Sequence, residues 1–151
     1  MDNHEVVTRL RQGLGLGDEE LTELLGAGGA PVTAEAVARY GEVPLSDAQL
    51  LELLDGLIVW RRGPSPTKPK PGARPRVDGN LVLKKLRIAL DLREDDLVKV
   101  FAAGGREVGA RGLTPWFRKA KSKHYKAVDD ATLGAFLDGL AALGMPPRRG
   151  P

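Results

Sequence analysis

Apolar residues recur along this chain at intervals of three and four, the mark of amphipathic helices, and no β-branched run alternates at two. In the first half Val6, Val7, Leu10 and Leu14 form one stripe. Leu21, Leu24 and Leu25 form the next, after a break at Gly15-Leu16-Gly17. Asp18, Glu19 and Glu20 suit the first turn of that second helix, where free N–H groups and the helix dipole favour negative charge. Gly28 and Gly29 stop it, and a third helix starts at Thr33 or Ala34 and runs to about Tyr40. Ser46-Asp47-Ala48-Gln49 is a capping-box pattern, opening a fourth helix with Leu50, Leu53, Leu54, Leu57 and Ile58 inward. The second half follows the same plan. Leu83, Leu86 and Leu90 are followed by Leu97, Val100 and Phe101 after Glu94-Asp95-Asp96, then by a segment near Ala110 to Lys119, then by Leu133, Phe136, Leu137 and Leu140. Gly144 and Pro146 end the last helix. The pattern predicts an all-α fold.

The halves align with each other. A shift of 76 positions sets Leu10-Arg11 on Leu86-Arg87, Leu14 on Leu90, Leu16 on Leu92, Leu21 on Leu97 and Ala27-Gly28-Gly29 on Ala103-Gly104-Gly105. With seven further residues in the second copy, Asp47 meets Asp130 and Leu54-Asp55-Gly56-Leu57 meets Leu137-Asp138-Gly139-Leu140. Such agreement predicts two tandem copies of a small four-helix domain, loosely helix-turn-helix-like, over residues 1–62 and 80–145. Residues 63–79 read as a Pro-rich basic linker, since the five prolines between Gly63 and Pro75 sustain neither helix nor central strand. Residues 146–151 read as a disordered tail.

The twofold Leu-Arg-x-x-Leu-x-Leu, the run of acids before Leu, Ala-Gly-Gly, and the closing Leu-Asp-Gly-Leu together resemble the YehS-like family of bacterial proteins, built from two copies of a domain of unknown function. Trp116-Phe117-Arg118-Lys119, His124-Tyr125-Lys126 and Phe136-Leu137-Asp138-Gly139-Leu140 resemble its most recognisable stretch, whose counterpart the first copy has lost between Tyr40 and Pro44. The resemblance implies a cytoplasmic bacterial protein and supplies no reaction.

Composition narrows the chemistry. The 151 residues, 42% hydrophobic and 28% charged, suit a folded protein, and zero Cys excludes disulfides, thiol chemistry and Cys-based zinc sites. The two His lack metal-ligand spacing, so no cofactor or metal is expected. No signal-peptide layout opens the chain and no apolar run approaches a membrane span, so a cytoplasmic setting without membrane contact is expected. Charge is divided: residues 1–60 hold 11 acids against 3 bases, residues 61–77 hold 6 bases and no acid, and residues 78–151 hold 14 bases against 9 acids. Polyanion binding, if any, falls to the second half. Equally, the oppositely charged halves could attract each other, within one molecule or between two.

Several motifs have a structural reading that outweighs the chemical one. The glycines at 13, 15 and 17 end a helical stripe instead of following a strand, so they read as a helix stop, not a phosphate loop. The acid pairs Glu19-Glu20, Asp95-Asp96 and Asp129-Asp130 open helices, where capping explains them. Gly56 and Gly139 cost helix stability, which a close helix crossing explains more economically than a catalytic Asp55 or Asp138. No Ser/His/Asp set has supporting spacing, so the expectation is no enzymatic activity.

Arg118 to Lys126 stands apart. Arg118, Lys119, Lys121, Lys123 and Lys126 give five cations and no acid in nine residues, with Trp116, Phe117, His124 and Tyr125 alongside. Cations neutralise phosphates and planar rings stack on bases, so the segment suits RNA or DNA. A solvated loop with Trp116 and Phe117 in the core is the competing reading. The nucleic-acid reading assigns phosphate contact to the five cations and stacking or hydrogen bonding to His124 and Tyr125, extended by Arg61, Arg62, Lys68, Lys70, Arg74 and Arg76. Pro115 argues against a groove-reading helix, and with Thr114 it resembles a new cap and first turn. The alternative function is a protein-interaction module or self-associating adaptor that uses the acidic first half and the basic second half.

Overall fold

The structure, a computed structural model, describes residues 1–30, 32–64 and 77–146. Most of the Pro-rich segment, with Lys68, Lys70, Arg74 and Arg76, and the tail from Pro147 lie outside the described residues. The helices are α1 (Asn3–Leu14), α2 (Asp18–Ala27), α3 (Ala34–Ala38), α4 (Asp47–Arg62), α5 (Gly79–Ala89), α6 (Glu94–Ala103), α7 (Ala110–Leu113) and α8 (Asp130–Leu143). A 3-10 turn, Arg39–Gly41, follows α3, and another, Thr114–Phe117, follows α7. No strand occurs among the described residues.

Side-chain oxygens start most of these helices. Asp2 accepts from the Glu5 amide at 2.8 Å, Thr33 from Ala36 at 3.1 Å, Asp78 from Leu81 at 2.9 Å and Asp129 from Thr132 at 2.7 Å. Ser46 and Gln49 exchange both bonds of the capping box, at 3.1 and 3.0 Å. Each such cap contributes about 1 kcal/mol. α1 ends at Gly15 with φ +67°, and the chain leaving α5 turns the same way at Asp91, φ +51°. Asp is among the few side chains that enter this region at low cost, which is how the second half makes the turn without glycine. Of the three glycines only Gly15 stops the helix; Gly13 lies inside α1, where a Cβ would stand 3.2 Å from the Ala141 Cα, and Gly17 caps the start of α2.

The apolar stripes of both halves bury one continuous core. α2 packs on α4 and α6 on α8 within their halves, while α1 of the first half lies on α8 and α5 of the second lies on α4. Glycine permits the within-half crossings. A Cβ on Gly139 would stand 1.8 Å from the Val100 carbonyl oxygen, and one on Gly56 would stand 2.6 Å from that of Leu24. Ion pairs span both seams between the halves: Arg9 to Asp138 at 2.5 Å with the Met1 amino group on Asp130 at 2.5 Å, and Lys85 to Asp55. Asp55 and Asp138 are thus exposed partners of cations on the opposite half, and the glycine beside each serves the helix crossing.

One predicted element differs. The segment from Ala110 to Lys119 is not a helix throughout: α7 spans four residues, the 3-10 turn ends at Phe117, and Arg118 is already extended at ψ 159°. Gly109 and Gly112 weaken the helix, and Pro115 brings no N–H to continue it. A helix of four residues is only about 6 Å long, too short for the recognition helix of a helix-turn-helix. Thr114 is not a cap either; its hydroxyl donates back to the Ala110 carbonyl at 3.3 Å. Ile58, expected inward, is half-buried.

Candidate nucleic-acid interface

Between the second 3-10 turn and α8 the chain makes a loop with its base tied shut. Lys126 donates its amide to the Pro115 carbonyl at 3.1 Å. Asn80, in the first turn of α5, uses its whole amide on the same base: Nδ2 donates to the Trp116 carbonyl at 3.0 Å and the Lys126 carbonyl at 2.9 Å, and Oδ1 accepts from the Val128 amide at 2.8 Å. Inside the loop, Ser122 donates to the Lys119 carbonyl at 2.9 Å and Tyr125 to that of Ser122 at 3.1 Å. The loop is a sequence of bonded turns on a fixed base, so its side chains are displayed from a set backbone.

Arg118, Lys119, Lys121, Lys123 and Lys126 are all exposed, and none forms an ion pair among the described residues. His124 is exposed and Tyr125 half-buried. Tyr125, Asn80, Lys84, Arg118 and Lys119 help line a groove of about 220 Å³ between the loop and the start of α5. Asp78 also lines this groove, its carboxylate accepting from the Leu81 amide at 2.9 Å as the cap of α5, and Asp129 follows the loop in sequence. Asp129 is held below the usual carboxylate range by the Thr132 hydroxyl and amide, and secondarily by Arg106 and Lys126. The segment therefore presents cations over a groove, suited chemically to phosphate oxygens.

The two large aromatics beside the loop face inward. Trp116 is buried, 5.3 Å from the Phe101 ring and 5.6 Å from the Arg106 guanidinium. Its Nε1 has no acceptor among the described residues. Phe117 is half-buried, with the Arg87 guanidinium 4.7 Å from its centroid. These two rings belong to packing, leaving Tyr125 and His124 as the planar groups beside solvent. Arg61 and Arg62 are also tied into the fold, donating to the Pro146 carbonyl at 2.9 Å and the Ile88 carbonyl at 3.3 Å. His4 is half-buried on α1, and no group of three or more metal-ligating side chains occurs among the described residues. No described helix is long and apolar enough to cross a membrane.

The sequence pattern missed Asn80. Its partners lie 36 and 46 residues away on backbone carbonyls, which leave no trace in side-chain identity. Lys84 and Arg87 were likewise invisible as neighbours of the loop, being ordinary cations on a helix face until α5 is docked.

A family described as "Protein of unknown function (DUF1456)" matches residues 79–143. The chain is 30% identical over 149 residues to "Uncharacterized protein YehS" of Escherichia coli (strain K12), covering 94% of this chain and 96% of that protein. No solved structure matches.

Proposed function

The chain belongs to the family of the Escherichia coli protein YehS, and on that premise we propose a non-enzymatic role in binding nucleic acid or nucleoprotein, through phosphate contacts of the loop from Arg118 to Lys126. The observation that carries this is the set of five exposed cations, unpaired among the described residues, on a loop whose base Asn80 bonds at three points. Lys84 lies across the groove and adds a sixth charge. Tyr125 and His124 supply planar contacts. With no base-reading array on a helix, affinity rests on the backbone of the polyanion and is indifferent to sequence.

The test is binding of single-stranded and duplex oligonucleotides across a salt series. For single strands each phosphate contact contributes a slope of about −0.7 in log affinity against log salt, so replacing all five cations by Gln should flatten the slope by about 3.5. Affinity should fall by a similar factor for unrelated sequences. Unchanged binding by the five-Gln protein would refute the site.

We also read residues 1–62 and 78–145 as copies of one helical unit, the second beginning at its cap Asp78 and at Gly79, which the sequence reading had left in the linker. What supports the reading is paired detail at corresponding positions: the caps Asp2 and Asp78, the left-handed residues Gly15 and Asp91, the crossing glycines Gly56 and Gly139, and the ion pairs made by Asp55 and Asp138. On this reading each unit lends its first helix to the last helix of the other.

A further inference from the structure

The first half has an open cleft where the second half is filled by a ring. In the second half Arg87 is held flat by its Nε donating to the Leu92 carbonyl at 3.1 Å, and the Phe117 ring lies against its guanidinium at 4.7 Å. In the first half Arg11 is held in the same manner, donating from Nε to the Leu16 carbonyl at 2.8 Å and from Nη2 to Asp18 at 2.7 Å. No ring lies over it among the described residues. Tyr40 and Trp116 are the buried residues of the two 3-10 turns, and the residue after them is Gly41 in one turn and Phe117 in the other. A cavity of about 500 Å³ results, lined by Arg11, Gln12, Leu16, Tyr40 and Gly41 among others. A Cβ added at Gly41 would meet nothing within 4 Å, so the space begins directly at that position.

We propose that this cleft is a docking site for a phenylalanine side chain presented by a basic segment of a protein partner. The ring would stack on the Arg11 guanidinium, as Phe117 does on Arg87, and a planar cation fixed by its own hydrogen bonds loses little freedom on receiving it. The surroundings choose the carrier of the ring. Glu19 and Glu42 are exposed beside the lining residues, Asp18 being paired with Arg11, and the first 60 residues hold 11 acids against 3 bases. That field repels a base tethered to phosphates and attracts a peptide with Lys or Arg flanking the ring. The site is separate from the basic loop and goes beyond the function proposed above.

The test titrates the full chain with fluorescently labelled Lys-Lys-Phe-Lys-Lys and with Lys-Lys-Ala-Lys-Lys at moderate salt. The Phe peptide should bind at least tenfold more tightly, and Gly41→Phe, which supplies the ring internally, should abolish that preference while the protein keeps its circular dichroism and melts no lower. Should that variant fold poorly, nuclear magnetic resonance on the unaltered protein decides the matter: the Arg11 Nε–H and the Tyr40 ring signals should shift with the Phe peptide and not with its Ala counterpart. Equal binding of the two peptides, or a preference that survives Gly41→Phe, overturns the proposal. So does an oligonucleotide whose binding is lost in Gly41→Phe, since the occupant would then be a base. A dimer in sedimentation that Gly41→Phe dissociates would give the cleft to a second copy and overturn the partner named here. The five-Gln loop protein should retain the Phe preference, which separates this result from failure of the nucleic-acid reading.

Discussion

Gly134 and Gly139 lie one and a half turns apart on α8, and replacing each by Ala should move stability in opposite directions. At Gly134 the nearest atoms to a new Cβ are the Arg9 guanidinium at 3.5 Å and the Met1 side chain at 3.7 Å, ordinary contacts with flexible groups. Only the helix-propensity gain remains, so Gly134→Ala should stabilise by about 0.5 to 1 kcal/mol. At Gly139 the new atom meets the Val100 carbonyl oxygen at 1.8 Å and its carbon at 2.7 Å, both backbone. Restoring a contact of about 3.4 Å means parting α6 from α8 by roughly 1.5 Å, and a gap of that order forfeits a quarter or more of the dispersion contact across the interface. Leu97, Val100 and Phe101 on α6 face Leu133, Phe136, Leu137 and Leu140 on α8, all buried. At about 2 kcal/mol for each buried side chain, losing a quarter over six or seven of them costs about 3 kcal/mol. The propensity gain offsets about 1, leaving Gly139→Ala destabilised by about 2 kcal/mol. Urea unfolding followed by far-ultraviolet circular dichroism measures both, with the midpoint rising for one variant and falling for the other. A Gly139→Ala protein as stable as the parent would show that α6 and α8 do not cross at this residue, and the argument for glycine there would collapse.

Asn80→Ala should cost about 2 kcal/mol, because it strands the Val128 amide and two carbonyls at the loop base, and hydrogen exchange at Val128 should accelerate while amides of α2 stay protected. An unchanged exchange rate there would remove Asn80 as the tie. Arg9→Asp should cost about 1 kcal/mol by setting two carboxylates face to face, and adding Asp138→Arg should recover most of it; no recovery in the double variant would deny the pair across the seam. Asp129 has its native pKa depressed, so its contribution is present above the unfolded value near 3.8 and is lost as pH falls through the native value. Thermal melts from pH 6 down to 2 should therefore show Asp129→Asn losing less stability than the parent over that acid range, and superimposable acid profiles would contradict the assignment.

The helices were legible because each carries its own signals. Ser46 to Gln49 announced α4, the acids at 18 to 20 opened α2, and the spacing of Leu50, Leu53, Leu54 and Leu57 gave the buried face. The close crossing at Gly56 and Gly139 was readable too, since a helix tolerates glycine only where something repays it. Two things were not readable. The periodicity of the segment after Ala110 continues past Phe117, yet Pro115 and the lost helical N–H end the helix, and local chemistry outweighs spacing there. Which first helix meets which last helix is also silent in the pattern, because the apolar stripes of α1 and α5 would fit α4 or α8 equally well. Arg118 to Lys126 was found as a candidate from composition alone. Its tie to α5 through Asn80 was not, because hydrogen bonds to distant backbone depend on the fold and not on neighbouring residues.

The unequal charge of the halves invites the idea that attraction between them holds the molecule together, but the seam points elsewhere. Of its two side-chain ion pairs, Lys85 to Asp55 joins the basic half to the acidic one in the expected sense, whereas Arg9 to Asp138 runs the opposite way, a cation of the acidic half on an acid of the basic half. Both pairs are partly exposed, where such contacts contribute about 1 kcal/mol or less. What joins the halves is burial: Val6, Leu10 and Leu14 of α1 and Val82, Leu83 and Leu86 of α5 lie in the same core as Leu53, Leu57, Phe136 and Leu140. The bulk of the charge is thus not consumed inside the molecule. The loop cations stay exposed at one site, and Glu19 and Glu42 stay exposed beside the Arg11 cleft. A core sealed by apolar contact leaves both fields directed outward, the loop cations over the groove beside α5 and the acids around the cleft at Arg11.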